Sequence, residues 1–336
     1  MTLPSTMRAA RIHRYGPPEV LQIESVPMPT LGPDDVLVEV HAAAINVVDC
    51  KIRSGRQAGV VRLSLPWTLG LDVSGVVAAI GTSVRRFQVG DAVYGSPPHT
   101  RPGTYAEYVA VAADVLALKP ARLSHIEAAG VPLVALTAWE ALEVGDVAAG
   151  QQVLIVAGAG GVGTMAIQLA KVRGAIVTTA ARPSHAALLR SLGADKVVDF
   201  EREDLWAQVH DLDFALCNVG HGDRERALQA VRRGGTIVSL VADIPTYADR
   251  YGPTLGAVVA GARIGAFLVR ARLTGRRAFQ LTRSGGGRML RRLAPWLESG
   301  VVRPVIDEVF PFEQVVAAHR ACEAGGASGK LILQVR

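Results

Sequence analysis

The chain has very little cysteine and very little lysine. Its three cysteines, Cys50, Cys217 and Cys322, stand far apart in 336 residues and form no C-x-x-C. That excludes a disulfide framework and a thiolate zinc site of the usual spacing. No apolar run reaches the ~18 residues of a membrane span, and Met1–Leu21 carries Arg8, Arg11, His13 and Arg14 where a signal peptide stays apolar. No membrane span or secretion is expected; a reducing, cytoplasmic location is. Acidic residues are missing from Tyr251 to Leu297, where Arg263, Arg270, Arg272, Arg276, Arg277, Arg283, Arg288, Arg291 and Arg292 all fall. The lysines are Lys51, Lys119, Lys171, Lys196 and Lys330, so the net charge of +6 is almost wholly arginine. No nucleic-acid motif accompanies these arginines, and no nucleic acid is expected as partner.

What is present is apolar and glycine-rich: 49% hydrophobic residues, 20% charged and 35 glycines. This length exceeds what one hydrophobic core usually serves, so two domains are expected. From Met7 to Pro120 short Val-rich runs such as Val36–Val40, Gly75–Ile80, Asp91–Tyr94, Tyr105–Val111 and Val115–Leu118 lie between Gly, Pro and Asp, the texture of a β-barrel or sandwich. Ile126–Leu142 then has helical spacing. From Val153 to Val241 strands (Val153–Ala157, Ile176–Ala180, Lys196–Asp199, Asp213–Cys217, Thr236–Val241) alternate with helices such as Thr164–Arg173 and Ala186–Leu192, which implies a parallel sheet with crossovers. The tail returns to a helix from Arg288, Val301–Val309, a helix through Gln314–Ala324 and a closing strand Leu331–Val335. The segment Leu255–Arg277, apolar and punctuated by glycine before its arginines, interrupts the parallel unit between its fifth and sixth strands. It reads as a lid, a dimer arm or an interfacial membrane contact, too short to cross a bilayer.

The sharpest local signal is Val153-Leu-Ile-Val-Ala-Gly158-Ala159-Gly160-Gly161-Val162-Gly163, followed by a helix. Glycines allow a tight turn, close approach of a pyrophosphate to the backbone and close packing of the helix, whose N-terminus faces the phosphates. G-x-G-x-x-G alone is weak; between a strand and a helix, at the head of an alternating unit, it predicts a dinucleotide site. Between Gly163 and Asp195 there is no Asp or Glu, and the second strand runs into Arg182-Pro-Ser184. A carboxylate there would bind the ribose hydroxyl of NADH; Arg182 instead suits the 2′-phosphate of NADPH, with Ser184 the next candidate.

Several stretches resemble the medium-chain dehydrogenase/reductase superfamily, in its zinc-free quinone-oxidoreductase branch: Ala44-Ile-Asn46-Val-Val-Asp49, Gly70-Leu-Asp72-Val-Ser-Gly75, Val89-Gly-Asp91-Ala-Val-Tyr94, Gly103-Thr-Tyr-Ala-Glu-Tyr-Val109, Pro132-Leu-Val-Ala-Leu-Thr137, Cys217-Asn218-Val-Gly220 and Ser328-Gly-Lys330-Leu. Leu65–Gly75, the long segment between Leu240 and Phe279, and Val302–Asp307 look like its mitochondrial, reticulon-4-interacting group. The resemblance implies an α/β architecture, a Rossmann doubly wound parallel sheet (126–283) plus a GroES-like β-barrel catalytic domain (1–125 and 284–336), and a homodimer. It implies cofactor contacts from Thr137, Asn218, Gly220, Leu240, Phe279, Leu281 and Lys330, with Phe200 in place of a frequent Tyr near the adenosine phosphate. Zinc relatives use a Cys, a Gly-His-Glu and a distant Cys or Asp; here the first position is Asn46 and the second reads Gly70-Leu71-Asp72, so no metal is expected.

Without zinc to polarise a carbonyl, hydride transfer to an already electrophilic acceptor is the expected chemistry. A quinone or an activated enone is such a small-molecule acceptor. The resemblance places Asn46 and Asp49 near the nicotinamide, Asn46 with an amide to hold an oxygen and Asp49 either acting directly or capping the helix that begins at Cys50. Where relatives carry Gly-x-Tyr-Pro this chain reads Gly55-Arg56-Gln57-Ala58, leaving Gln57 or solvent as proton donor. Trp67, Tyr94 and Tyr105 are candidates for the floor of an acceptor pocket. Two other functions fit the same residues: an enoyl reductase whose arginines hold a CoA or carrier phosphate, and an NADPH-binding protein of low turnover with a structural or nucleic-acid role.

Overall fold

The computed structural model describes residues 3–281 and 286–336. Two compact units divide it: Met1–Leu136 with Ser284–Arg336, and Thr137–Arg283. In the first unit, β1 (Thr6–Ile12) and β2 (Leu21–Pro27) precede the long strand β3 (Asp35–Ile45), and helix α1 (Val47–Arg53) follows it. Then come β4 (Trp67–Thr68), β5 (Val73–Ile80), β6 (Ala92–Gly95), β7 (Tyr108–Ala112), β8 (Leu116–Leu118), α2 (His125–Ala129) and α3 (Pro132–Val144). The helical run expected over Ile126–Leu142 is thus two helices. Pro132 opens α3 and disfavours helical backbone at Val131, which breaks the run there. The expected boundary at 125/126 also shifts: α2 stays with the first unit because Ala129 and Ile126 pack on Ala42 and Ala44 of β3. The second expected boundary, 283/284, lies outside the described residues, as does Arg283.

Strand β3 organises this unit. Val36, Val38 and Val40 face one core and so do Ala43 and Ile45, a change from even to odd positions. The ladder with β5 shifts register between Val40 and Ala42. A bulge inserts one residue, and that single residue moves the core face to the other parity. One edge of β3 pairs with β5; the other pairs with β7 through its first half and with the last strand of the chain through its second. The hydrogen-bonded path among the described residues does not close, so the expected barrel is an open seven-stranded sheet beside the three-stranded β2-β1-β4.

The second unit contains β9 (Gln152–Ile155), α4 (Gly161–Val172), β10 (Ile176–Ala181), α5 (Ala186–Ser191), β11 (Lys196–Asp199), β12 (Leu212–Cys217), α6 (His221–Ala230), β13 (Val231–Ser239), α7 (Ile244–Tyr251), α8 (Pro253–Leu273) and β14 (Arg277–Gln280). Its six strands are parallel in the order β11-β10-β9-β12-β13-β14. The order reverses between β9 and β12, the switch point outside whose carboxyl ends open α/β sheets bind ligands. The apolar segment expected between the fifth and sixth strands is the crossover α7–α8. It is longer than its glycines suggested: α8 is one continuous helix of 21 residues, by length and composition alone sufficient to cross a membrane, with 22% of its apolar 18-residue stretch buried. Gly256, Gly261 and Gly265 lie inside it without breaking it.

The chain then returns to the first unit with α9 (Gly287–Ser299), β15 (Ile306–Pro311), α10 (Val315–Ala324) and β16 (Lys330–Gln334). Strand β16 pairs antiparallel with β3, Leu331 opposite Ile45, and this register carries Lys330 to the side of Asn46.

Candidate active site

In the second unit the glycine turn leaves β9 and enters α4, whose N-cap is Gly160, with no side-chain cap and no acidic residue in the first turn. The first backbone N–H groups, among them those of Gly161, Val162 and Gly163, therefore have no carboxylate competing for them, the condition for receiving an anion. A Cβ on Gly163 would lie 2.1 Å from the carbonyl oxygen of Ala157 and 2.7 Å from that of Gly158. The turn is held from the other side of the switch point, where Asn218 Oδ1 accepts from the Ala157 N–H at 3.0 Å. Asn218 thus shapes the turn, and Gly220 caps α6 beside it. Leu240 follows β13, its N–H donating to Cys217. Phe279 lies exposed on β14, and the Leu281 N–H donates to Ser239. Thr137 is buried on α3.

Arg182 N-caps the short turn after β10, with Ser184 exposed beside it and Phe200 exposed after β11. Arg182 Nε lies 3.3 Å from Glu201 Oε1, both side chains about half exposed. Glu201 was missed because only residues up to Asp195 bear on the motif in sequence. The parallel register sets Ala181 opposite Asp199, so the residues just beyond each strand end meet. Arg182 therefore holds a partner that a 2′-phosphate would have to displace.

In the first unit a buried polar cluster joins α1, β16 and the loop before β5. Asn46 Nδ2 lies within 3.0 Å of Asp72 Oδ2, 3.2 Å of Asp49 Oδ2 and 3.3 Å of the Ala44 carbonyl oxygen, and Asn46 Oδ1 accepts from Lys330 Nζ. Both amide hydrogens and the amide oxygen are engaged. An acceptor oxygen at Asn46 would share these hydrogens with Asp72, Asp49 and the Ala44 carbonyl. Lys330, expected among the cofactor residues, also donates to the Ile45 carbonyl and pairs with Asp72 at 3.4 Å. Gly70, at φ +107°, makes the bend before Asp72, where a Cβ would strike Thr104 and Tyr105.

Asp49 is the third residue of α1 and accepts from the Asn46 N–H at 3.0 Å, so the capping role belongs to a helix that begins at Val47. Its Oδ2 also accepts from Tyr105 Oη at 2.9 Å, whereas its Oδ1 is buried without a partner. Asp49 lines a recess with Trp67, Leu69, Gly70 and Leu71 of only about 10 Å³, the room of one water. Tyr105 is fully buried, as is Tyr94, whose hydroxyl donates to Leu290, so neither floors an open acceptor pocket. Gln57 lies in the turn after α1, and its carbonyl accepts from Val60 and Val61.

Residues 32–121 match the alcohol dehydrogenase GroES-like domain, and residues 192–333 match the zinc-binding dehydrogenase family. The chain is 36% identical to the mitochondrial NAD(P)H oxidoreductase RTN4IP1 of Mus musculus, over 98% of this chain and 90% of that protein. The chain belongs to the medium-chain dehydrogenase/reductase superfamily. It is also 34% identical to the chloroplastic NADPH-dependent alkenal/one oxidoreductase of Arabidopsis thaliana, over 99% of this chain and 80% of that one. The solved quinone oxidoreductase of Coxiella burnetii has the same fold, with a TM-score of 0.87 at 33% identity over 98% of this chain and 100% of that chain.

The zinc of many medium-chain dehydrogenases does not fit these residues. Leu71 has no donor atom, the Asn46 oxygen already accepts from an ammonium, and Asp72 is paired with that same ammonium. Among the described residues no group of three His, Cys, Asp or Glu could hold a metal ion. A lysine supplies the positive charge that the buried carboxylate requires.

Burial pushes the Asp49 carboxyl up to about 6, against the opposing hydrogen bonds from Tyr105 and Asn46. An unfolded aspartate titrates near 3.8. Between those values the folded protein keeps a proton that the unfolded chain has released, so stability falls as pH rises from about 4 to about 6. The span of about two units corresponds to roughly 3 kcal/mol. Asp49→Asn is expected to remove that slope; urea titrations at several pH values check it, and an unchanged slope would place the proton on another group.

Proposed function

We propose that this protein is an NADPH-dependent, zinc-independent reductase that transfers hydride to a quinone or an activated enone. The observation that carries the reading is Lys330, whose ammonium stands between Asn46, at the position of the relatives' first zinc ligand, and Asp72 of the Gly-Leu-Asp that replaces their Gly-His-Glu. Without a Lewis acid, the acceptor must bring its own electrophilicity, as quinones and α,β-unsaturated carbonyls do. The relatives named for alkenal/one and quinone reduction support the same class.

Bound NADPH would supply the hydride. The N–H groups of Gly161, Val162 and Gly163 would receive its pyrophosphate, and Arg182 and Ser184 its 2′-phosphate. Asn218 keeps the turn in shape through Ala157. Asn46, Asp72 and Lys330 hold α1 and with it Asp49 in place, and solvent supplies the proton that completes reduction. A homodimer is part of this reading, since β14 ends the sheet and pairs with β13 alone among the described strands.

Turnover of 9,10-phenanthrenequinone and of methyl vinyl ketone with NADPH tests the activity; no oxidation of NADPH with either would overturn it. Cofactor choice is tested separately. Arg182→Ala is expected to weaken NADPH by roughly 1.5–3 kcal/mol, the scale of a charged hydrogen bond, and to spare NADH. Glu201→Gln should tighten NADPH a few-fold by removing the competing carboxylate. Equal losses for both cofactors in Arg182→Ala would move the phosphate site away from Arg182.

A further inference from the structure

We propose that the outer face of α8 docks on an anionic lipid surface. The helix buries Gly256, Ala260, Phe267 and Ala271 against its own unit. On the far side Leu255, Val258, Ala262, Ala266, Val269 and Leu273 recur at intervals of three and four and are all exposed. Leu255 is 54% exposed, Val258 63%, Val269 58% and Leu273 78%. Singly exposed apolar side chains are ordinary; a continuous stripe along a whole helix marks an interaction surface. At 100° per residue, Arg263 and Arg270 border one side of the stripe and Arg272 the other.

Charge selects the occupant. From Ile244 to Leu273 the chain carries Arg250, Arg263, Arg270 and Arg272 against one carboxylate, Asp249, and Glu225 of α6 pairs with Arg270. A second copy laid on this face would bring the arginine borders together with only Asp249 and Glu225 of each copy to offset them, and Glu225 is already paired with Arg270. An anionic bilayer meets both parts at once, acyl chains under the stripe and headgroups at the arginines. Topology selects the mode. Both ends of α8 are tied to the parallel sheet, through α7 to β13 and directly to β14, and Phe267 is 1% exposed in the core. The helix therefore cannot cross a bilayer without stripping β14 from the sheet, although its length and composition suffice; it lies flat.

Co-sedimentation of the intact protein with vesicles of equal parts phosphatidylcholine and phosphatidylglycerol, compared with pure phosphatidylcholine, tests this. Binding is expected to the anionic vesicles and to fall with salt. Arg272→Gln should weaken it about fivefold, the effect of one basic residue near such a surface. Val258→Asp with Val269→Asp should abolish it, with NADPH binding kept as the sign of an intact fold. Absent binding, or equal binding to both vesicles, would overturn the proposal. So would a dimer, seen in sedimentation, that the double aspartate variant dissolves while vesicle binding is lacking, because the face would then belong to a second copy.

Discussion

Lys330→Met is expected to cost about 3–5 kcal/mol of folding stability at neutral pH, the penalty for leaving one member of a buried ion pair without its partner. Asp72 is 0% exposed and Lys330 5%. Methionine keeps the length and most of the volume of the side chain, so the loss reports charge and hydrogen bonding. Asp72 would lose the Lys330 ammonium while keeping the Leu133 N–H at 2.7 Å and the Asn46 amide at 3.0 Å, and the oxygens of Asn46 and Ile45 would both lose a donor. Urea unfolding measures the loss. Adding Asp72→Asn to Lys330→Met should recover most of it, because the uncompensated charge is then gone. A single-variant loss below about 1 kcal/mol, the range of exposed ion pairs, would mean that water reaches the pair.

Gly163→Ala is expected to raise the NADPH dissociation constant by roughly a hundredfold or more. The added methyl group meets backbone oxygens at 2.1 and 2.7 Å, neither of which can swing aside as a side chain would. Relief requires the turn between β9 and α4 to move, and with it the N–H groups that would face the pyrophosphate. Losing two charged hydrogen bonds of about 1.5 kcal/mol each accounts for that factor. Overpacking should also cost about 1–3 kcal/mol of stability. Gly160→Ala is the control for folding alone, since its nearest neighbour would lie 3.8 Å away. It should fold as the wild type, and fluorescence titration with NADPH compares Gly163→Ala with the wild type. Tight binding by Gly163→Ala would show that the cofactor does not depend on this turn.

The alternating unit, the glycine turn and the parallel sheet were legible because each depends on residues near one another in the chain. Strand residues, turn glycines and the following helix occupy a single stretch from Val153 to Val172, and their spacing is the structure. That Leu71 has no donor atom was legible for a different reason, since the chemistry of a side chain does not depend on where it lies. The parity change in β3 and the break between α2 and α3 were harder, since one inserted residue or one proline alters a pattern that otherwise continues.

What tertiary structure alone decided is which of these side chains remain available. Glu201 reaches Arg182 through the register of β10 and β11, and Lys330 reaches Asp72 across 258 residues through the pairing of β16 with β3. Asn46 has an amide in any sequence reading, but only the packed cluster shows both of its hydrogens and its oxygen engaged. The stripe on α8 is visible as apolar spacing in the chain, yet which of its faces is covered depends on where α7, α6 and the sheet lie. Local order is set by neighbours in sequence, and the availability of a polar or apolar group is set by neighbours in space.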